Sequence, residues 1–379
     1  MQTYLAVKLH FTAPLILTRG KEQNLTDIFD LLHSDTLASA LFVSALQLMN
    51  VPTESFDKSA EFETLLKEFR NLTISSAFPF WKDEYFFPKP MVKLPFSFTK
   101  ANALDSDTKQ NKQLKKIQFL GKSIFEQVIS GSTASSGNST IEYNAKLTLS
   151  DNGKYISEKI AVAKSNQETF RINTRETKNQ IVVTHSFTGD DFSRETTPYD
   201  IERLHFTDNS GLFFLINVQK EMQLPSWFLP ALQLLADEGI GGYRSSGNGK
   251  FSFSIEKLTL SVPDNANCQM NLSVFCPDEK EVTPDFLGNE NSPGGWNLMQ
   301  TGGWLTQDVR SDGRALRKCP VYCFVEGSVF QSKDENGNVI KAVGSVVDLK
   351  PTETTIHAYR NCRSIFIPIQ CNPTAESNG

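Results

Sequence analysis

Histidine is scarce in this 379-residue chain: five residues, at positions 10, 33, 185, 205 and 357, none spaced as a pair of metal ligands. No nucleophile and base sit at a spacing that points to covalent or acid–base catalysis. Cysteine is equally thin, with six residues and no Cys-x-x-Cys unit. The tightest spacings, Cys319 with Cys323 and Cys268 with Cys276, are too open for a zinc cluster without nearby histidines. These thiols read as small buried side chains in a reducing compartment. No metal and no cofactor is expected. Positive charge is not in excess either: 38 Lys and Arg stand against 43 Asp and Glu, a net charge of −5. A generally basic protein is thereby excluded, and any contact with a polyanion has to be a local patch. No apolar run reaches membrane length, and residues 1–10 lack the basic-then-apolar layout of a secretory signal. The expectation is a cytoplasmic chain with no membrane partner.

What is present is enough to fold. The chain is 39% apolar with 28 Phe, and its length suggests about two to three domains. Leu5, Val7, Leu9 and Phe11 alternate with Tyr4, Lys8 and His10, which predicts a strand with one apolar face. His33-Ser34-Asp35 then forms a helix N-cap ahead of Leu37, Leu41, Ala45 and Leu48. A second helix is predicted near Glu61 to Phe69, followed by a strand over Leu72 to Ala77. Two prolines around Lys89 impose a stiff, extended segment.

Between Thr108 and Phe125 lie five lysines, 109, 112, 115, 116 and 122, and no acid. This is the clearest basic patch in the chain, although a charge run is more often a solvated face. Residues 131–140 read as a flexible linker. Ile141 to Thr148 and Gln180 to Phe187 read as the two strands of a long hairpin, with Arg171 and Arg175 between them. An apolar strand over Leu212 to Ile216 returns the chain to the core.

The twelve residues Gly239 to Lys250 hold five glycines, Arg244, Lys250, Tyr243 and two serines. Trp227, Phe228, Ala231, Leu232 and Leu235 predict a helix before them, and Phe251, Phe253 and Ile255 a strand after them. A nucleotide-binding glycine loop needs the reverse order, strand to helix, so that the phosphate meets a helix N-terminus. What remains is a side-chain-poor loop whose backbone N–H groups can approach a polyanion, or a turn that serves packing alone. Residues 1–260 thus give strand, helix, strand, large insertion, strand, helix, strand, the βαββαβ order of a ferredoxin-like fold. Residues 264–293 are a transition rich in Pro, Asp and Glu, including the acidic stretch Asp278 to Glu290. Beyond them, two Gly-Gly-Trp units and strand-like runs at Pro320 to Val325, Ala342 to Val347 and Ser364 to Ile369 suggest a second, smaller sheet domain.

The run GIGGYRSSGNGKF resembles the glycine-rich signature of the RAMP superfamily, the RNA-binding subunits of CRISPR effector complexes. Four further stretches are similar to the subunits that cap the 5′ end of the guide RNA in type III-A (Csm) complexes. They are His33-Ser34-Asp35-Thr36-Leu37, Tyr85 to Pro90, Leu114-Lys115-Lys116-Ile117, and Thr355 to Arg360 with Ser364 to Pro368. The chain departs from the group in its long insertion at 101–205, its acidic stretch, and Asn248 in place of an apolar residue.

This resemblance implies an α+β protein of two ferredoxin-like (RRM-like) domains. The first would span 1–263, with an insertion at 91–207 carrying a thumb-like hairpin and the basic loop; the second would span 264–379. It implies a non-catalytic subunit for antiviral defence that captures the crRNA 5′ handle and touches target RNA indirectly. Its protein partners would be the large polymerase-like subunit and the backbone RAMP subunit. The implied RNA contacts are Gly241, Gly242, Tyr243, Arg244, Ser245, Ser246, Gly247, Gly249 and Lys250, with His33, Ser34, Lys89, Lys115, Lys116, Arg171 and Arg175 outside the loop. One alternative is a metal-independent repeat-RNA endoribonuclease on the same fold, with His33 and Tyr243 or a lysine as base and acid. Another is a scaffold whose acidic surface binds protein only.

Overall fold

Strand β1 (Gln2–Phe11) is sandwiched between two cores because its side chains alternate. Val7 and Leu9 join one hydrophobic cluster, and Tyr4 and Ala6 the other. The second face, which the sequence left open to be wet, is thus covered at Tyr4 and Ala6 and half-buried at Lys8 and His10. The computed structural model describes residues 1–17, 31–49, 59–92, 94, 96–98, 114–131, 141–143, 148–188, 191–217, 224–288, 294–309, 315–334, 336–352 and 357–371. It is a mixed α+β structure with several sheets.

After β1 come helices α1 (Ser34–Leu48) and α2 (Ala60–Asn71), then β2 (Phe78–Trp81). A long insertion leads to β3 (Ser210–Ile216), α3 (Phe228–Glu238) and β4 (Phe251–Leu260). These four strands lie in the order β4-β1-β3-β2, each antiparallel to its neighbour. The predicted strand at 72–77 is instead an irregular run making single bridges, Ile74 to Ile216 and Leu32 to Ala77, and the ladder begins at Phe78.

All seven residues of β3 are buried. Leu212, Phe214 and Ile216 face the three helices, while Phe213 and Leu215 face the second core. Burying each phenylalanine contributes about 2–3 kcal/mol relative to leaving it in water. The insertion continues the same sheet through Glu84–Pro88, Phe119–Gly121, Tyr155–Ser157 and Thr148–Leu149, giving eight strands in all.

The predicted hairpin is re-paired. Ile141–Tyr143 runs parallel to Phe96–Phe98, and the long hairpin is formed by Asn173–Thr188 with Asp191–Phe206 in sixteen unbroken pairs. Asn173–Thr188 finds an equally long partner just across the turn, so local closure wins over the distant strand. Residues 132–140, expected as a linker, and most of the lysine run before Leu114 lie outside the described residues.

The C-terminal segment contributes a three-stranded sheet, Val329–Gln331, Cys268–Asn271 and Phe366–Ile369, and several two-stranded ladders. Cys268, Met270, Ile367 and Ile369 pack into the core on the far side of β1 and β3. Of the predicted strands here, 320–325 and 364–369 contain ladders, whereas the third is confined to Val346–Asp348.

Candidate nucleic-acid interface

The glycine loop joins α3 to β4. The helix stops because Gly239 takes φ +90°, a region glycine enters freely. The loop is then fastened to the segment after β1. The Gly242 N–H donates to the Ile16 carbonyl (2.9 Å), the Gly249 N–H to Pro14 (2.8 Å), and the Ile240 N–H to Gly249 (3.0 Å). Gly241 and Gly249 are close approaches: a Cβ at Gly249 would sit 1.9 Å from the Ile240 carbonyl, and one at Gly241 2.5 Å from that of Ile16. The Gly247 N–H donates to the Arg244 carbonyl at 2.8 Å. The amides of Gly242, Gly247 and Gly249 are thus committed to protein carbonyls, which corrects the expectation that they are available to a phosphate.

What the loop offers outward is side chains. Tyr243, Arg244, Ser245, Ser246 and Lys250 are all exposed, and Tyr243 adopts a left-handed conformation at φ +55°. Asn248, which departs from the family pattern, explains how that conformation is held. It is buried, and its side-chain amide donates to the Tyr243 carbonyl at 3.0 Å. An apolar residue at 248 cannot supply that bond. Arg244 is only loosely opposed by Glu238, at 3.9 Å.

A cavity of about 380 Å³ lies between this loop and the start of α1, lined by Ile16, Leu32, His33, Thr36, Gly241 and Arg244 among others. Two stretches more than two hundred residues apart in sequence therefore share one recess. Its wall at His33 ties the start of α1 to the C-terminal segment. His33 Nδ1 lies 2.8 Å from Glu326 Oε1, and Ser76 Oγ donates to the same carboxylate oxygen. Burial alone opposes a charged imidazole, but the charge and hydrogen bond of Glu326, with Asp35 nearby, outweigh it and raise the His33 pKa.

Ser34 is buried and does not cap its helix. Its Oγ accepts from the Val274 N–H at 2.9 Å, and its own N–H donates to Ser76 Oγ. Ser34 is turned into the seam between the start of α1 and the C-terminal segment, which corrects the expectation that it faces RNA; His33 has its Nδ1 in that seam while its ring also lines the cavity. Asp35 completes that seam, accepting from Arg360 Nη1 at 2.6 Å.

The remaining candidates are dispersed. Lys115 and Lys116 are exposed just before Phe119–Gly121, in the outer half of the eight-stranded sheet, whereas the loop enters the opposite edge. Lys89 is half-buried, and burial lowers its pKa. Arg171 is exposed at the base of the long hairpin, and Arg175 lies 3.4 Å from Glu202. Among the described residues, no cluster of His, Cys, Asp or Glu is arranged to hold a metal, and no helix is long and apolar enough to cross a membrane.

The last helix of this antiparallel sheet thus reaches the edge strand through a fastened, basic glycine loop. Residues 264–369 match the family described as CRISPR Csm4 C-terminal domain. A Csm4 protein of Thermococcus onnurineus is 25% identical over 261 residues, 68% of this chain and 70% of the relative. Csm4 of Streptococcus thermophilus is 23% identical over 177 residues, 45% of this chain and 52% of that protein. The crystal structure of a Csm3-Csm4 subcomplex of the type III-A CRISPR-Cas interference complex shares the fold with a TM-score of 0.59 at 16% identity, covering 98% of this chain and 100% of its own. A Csm1-Csm4 cassette in complex with cA4 superposes with a TM-score of 0.53 at 16% identity, covering 98% and 99%. The chain is thus similar to Csm4 proteins in sequence and shares the fold of the Csm4-containing structures.

Proposed function

We propose that this chain is the non-catalytic subunit that captures the 5′ handle of the crRNA and links the large, polymerase-like subunit to the backbone subunits of a type III-A complex. The observation that carries the RNA role is the loop geometry. Its backbone is fixed by Pro14 and Ile16, while Tyr243, Arg244, Ser245 and Lys250 stand exposed beside a cavity of about 380 Å³. Such a fixed display suits single-stranded RNA, which is bound by an aromatic face for a splayed base and cations for its phosphates. The partner roles are supported by relatives crystallised as a Csm3-Csm4 subcomplex and as a Csm1-Csm4 cassette. The chain would form two ferredoxin-like domains; the β4-β1-β3-β2 order supports this for the first half.

The competing reading, a repeat-RNA endoribonuclease, draws on His33 and the glycine loop lining one cavity. It is disfavoured by the state of His33. Its ring is largely buried and its Nδ1 faces Glu326 at 2.8 Å, so an acid or base at this position would have to act from inside the seam.

The test is Arg244→Ala combined with Lys250→Ala in the assembled complex. Handle affinity should fall by about 1–3 kcal/mol, with the melting temperature within a few degrees of wild type. Unchanged handle protection returns the loop to a packing role.

A further inference from the structure

The two edges of the eight-stranded sheet are finished differently. One ends in Thr148–Leu149, a two-residue strand. A strand that short is itself a way of blunting an edge. The other edge is β4, ten residues long, paired with β1 in unbroken register from Gln2 with Leu260 to Phe11 with Phe251. It contains no proline and no bulge, two of the devices that normally protect an open edge. Among the described residues, no other segment forms a backbone hydrogen bond with residues 252–259. Every second amide and carbonyl along that side faces outward.

Burial along β4 is uneven. Phe251 is buried at one end and Leu258 and Leu260 at the other, while residues 254–257 between them are exposed on both faces of the sheet. Ile255 is 37% exposed in that central run. Of its two charged residues, Glu256 is already engaged by Lys8 at 3.1 Å and by the Tyr85 hydroxyl, turned back over the sheet. Lys257 is exposed, on the same face as Ile255.

We propose that the outer edge of β4 is a docking site for an extended segment of a neighbouring protein subunit, which adds a ninth strand to the sheet. Backbone pairing along the central four to eight residues supplies the binding, in the manner of strand addition. Side chains set its selectivity: on the face of Ile255 and Lys257 the incoming strand carries an apolar residue opposite the first and an acidic residue opposite the second. The choice of a subunit of the same complex as donor rests on the function proposed above; the edge itself does not.

Hydrogen–deuterium exchange of the chain alone, and of the complex assembled by co-expression with its large and backbone subunits, tests this. Outward amides of 252–259 should exchange rapidly in the free chain and at least tenfold more slowly in the complex. Lys257→Glu changes an exposed side chain, and Ile255→Lys one that is 37% exposed. Each should weaken co-purification of one subunit by tenfold or more while the free chain keeps its melting temperature. Unprotected edge amides together with wild-type assembly of both variants overturn the proposal. So does protection that arises in the free chain at high concentration, which makes the occupant a second copy, or protection produced by handle RNA without any protein partner. Handle protection measured on the same assemblies reports separately on the RNA reading.

Discussion

Arg360 and Asp35 meet although 325 residues separate them: Arg360 Nη1 donates to Asp35 Oδ2 at 2.6 Å, with 14% and 2% of their side chains exposed. The same guanidinium donates to the Thr301 hydroxyl and, at 2.9 Å, to the Gly302 carbonyl. Two of the stretches that resemble the family, His33 to Leu37 and the run ending at Arg360, are therefore halves of one lock between the opening helix and the C-terminal segment. Arg360→Ala leaves Asp35 buried without its cation. Unfolding free energy should drop by about 3–5 kcal/mol, read from denaturant midpoints. A drop below 1 kcal/mol would assign the pair the weight of a surface contact.

His33 gives this lock a pH dependence. Its folded-state pKa is raised above 6.5, so its contribution is complete below that value and fades as pH climbs through the raised one. Stability of the wild type should therefore decline as the pH rises above about 6.5, and His33→Gln should flatten that slope. Parallel pH profiles for the two proteins would contradict the role.

Glycines of the loop should not be equivalent. Gly247 sits at φ +80° with no atom within 4 Å of an added Cβ, so Gly247→Ala should cost only the left-handed strain, about 1–2 kcal/mol. Gly249→Ala would drive a methyl onto the Ile240 carbonyl and should lower the melting temperature well beyond that variant. Equal melting points for the two would mean the loop is not fastened as described.

The long hairpin can be shortened without entering the core. Lys178 pairs with Ile201, and Ile201 and Leu204 at the base are buried, so removing residues 179–200 and closing with a two-residue turn keeps both anchors. We expect unchanged expression and melting, with altered guide–target pairing near the 5′ end of the guide in the assembled complex. Removing 145–185 would instead delete buried Tyr155, Ile156 and Ile160. Loss of soluble protein from the shorter deletion would place the hairpin tip in the core.

Lys115 and Lys116 are exposed, so Lys115→Glu with Lys116→Glu should leave folding intact. If they touch phosphates, the salt slope of RNA binding falls by about 0.7–1 for each contact. An unchanged slope makes them a solvated face.

Local periodicity was sufficient wherever a residue's neighbours in sequence are also its neighbours in space. The alternation of Leu5 to Phe11 and the three- and four-residue spacing of Trp227 to Leu235 specified β1 and α3, and the order of elements specified how β1, β2, β3 and β4 could be laid side by side. Glycines in a run likewise marked a loop between helix and strand. The partner of each strand in the insertion was open, because a strand's pattern states which face is apolar and not what lies beside it. That is why Ile141–Tyr143 and Asn173–Thr188 were given the wrong mates. Polar residues were open for a deeper reason. Asp35 and Ser34 have the chemistry of helix caps, and only the arrival of Arg360 and Val274 from the far end of the chain turns them into a buried seam. Glu326, which holds His33, carried no signal at all, since a carboxylate's role depends on the cation brought to it. The glycine loop shows both limits together. Its composition announced an exposed backbone, but the carbonyls of Pro14 and Ile16 occupy its amides, and folding alone decided that its side chains face solvent.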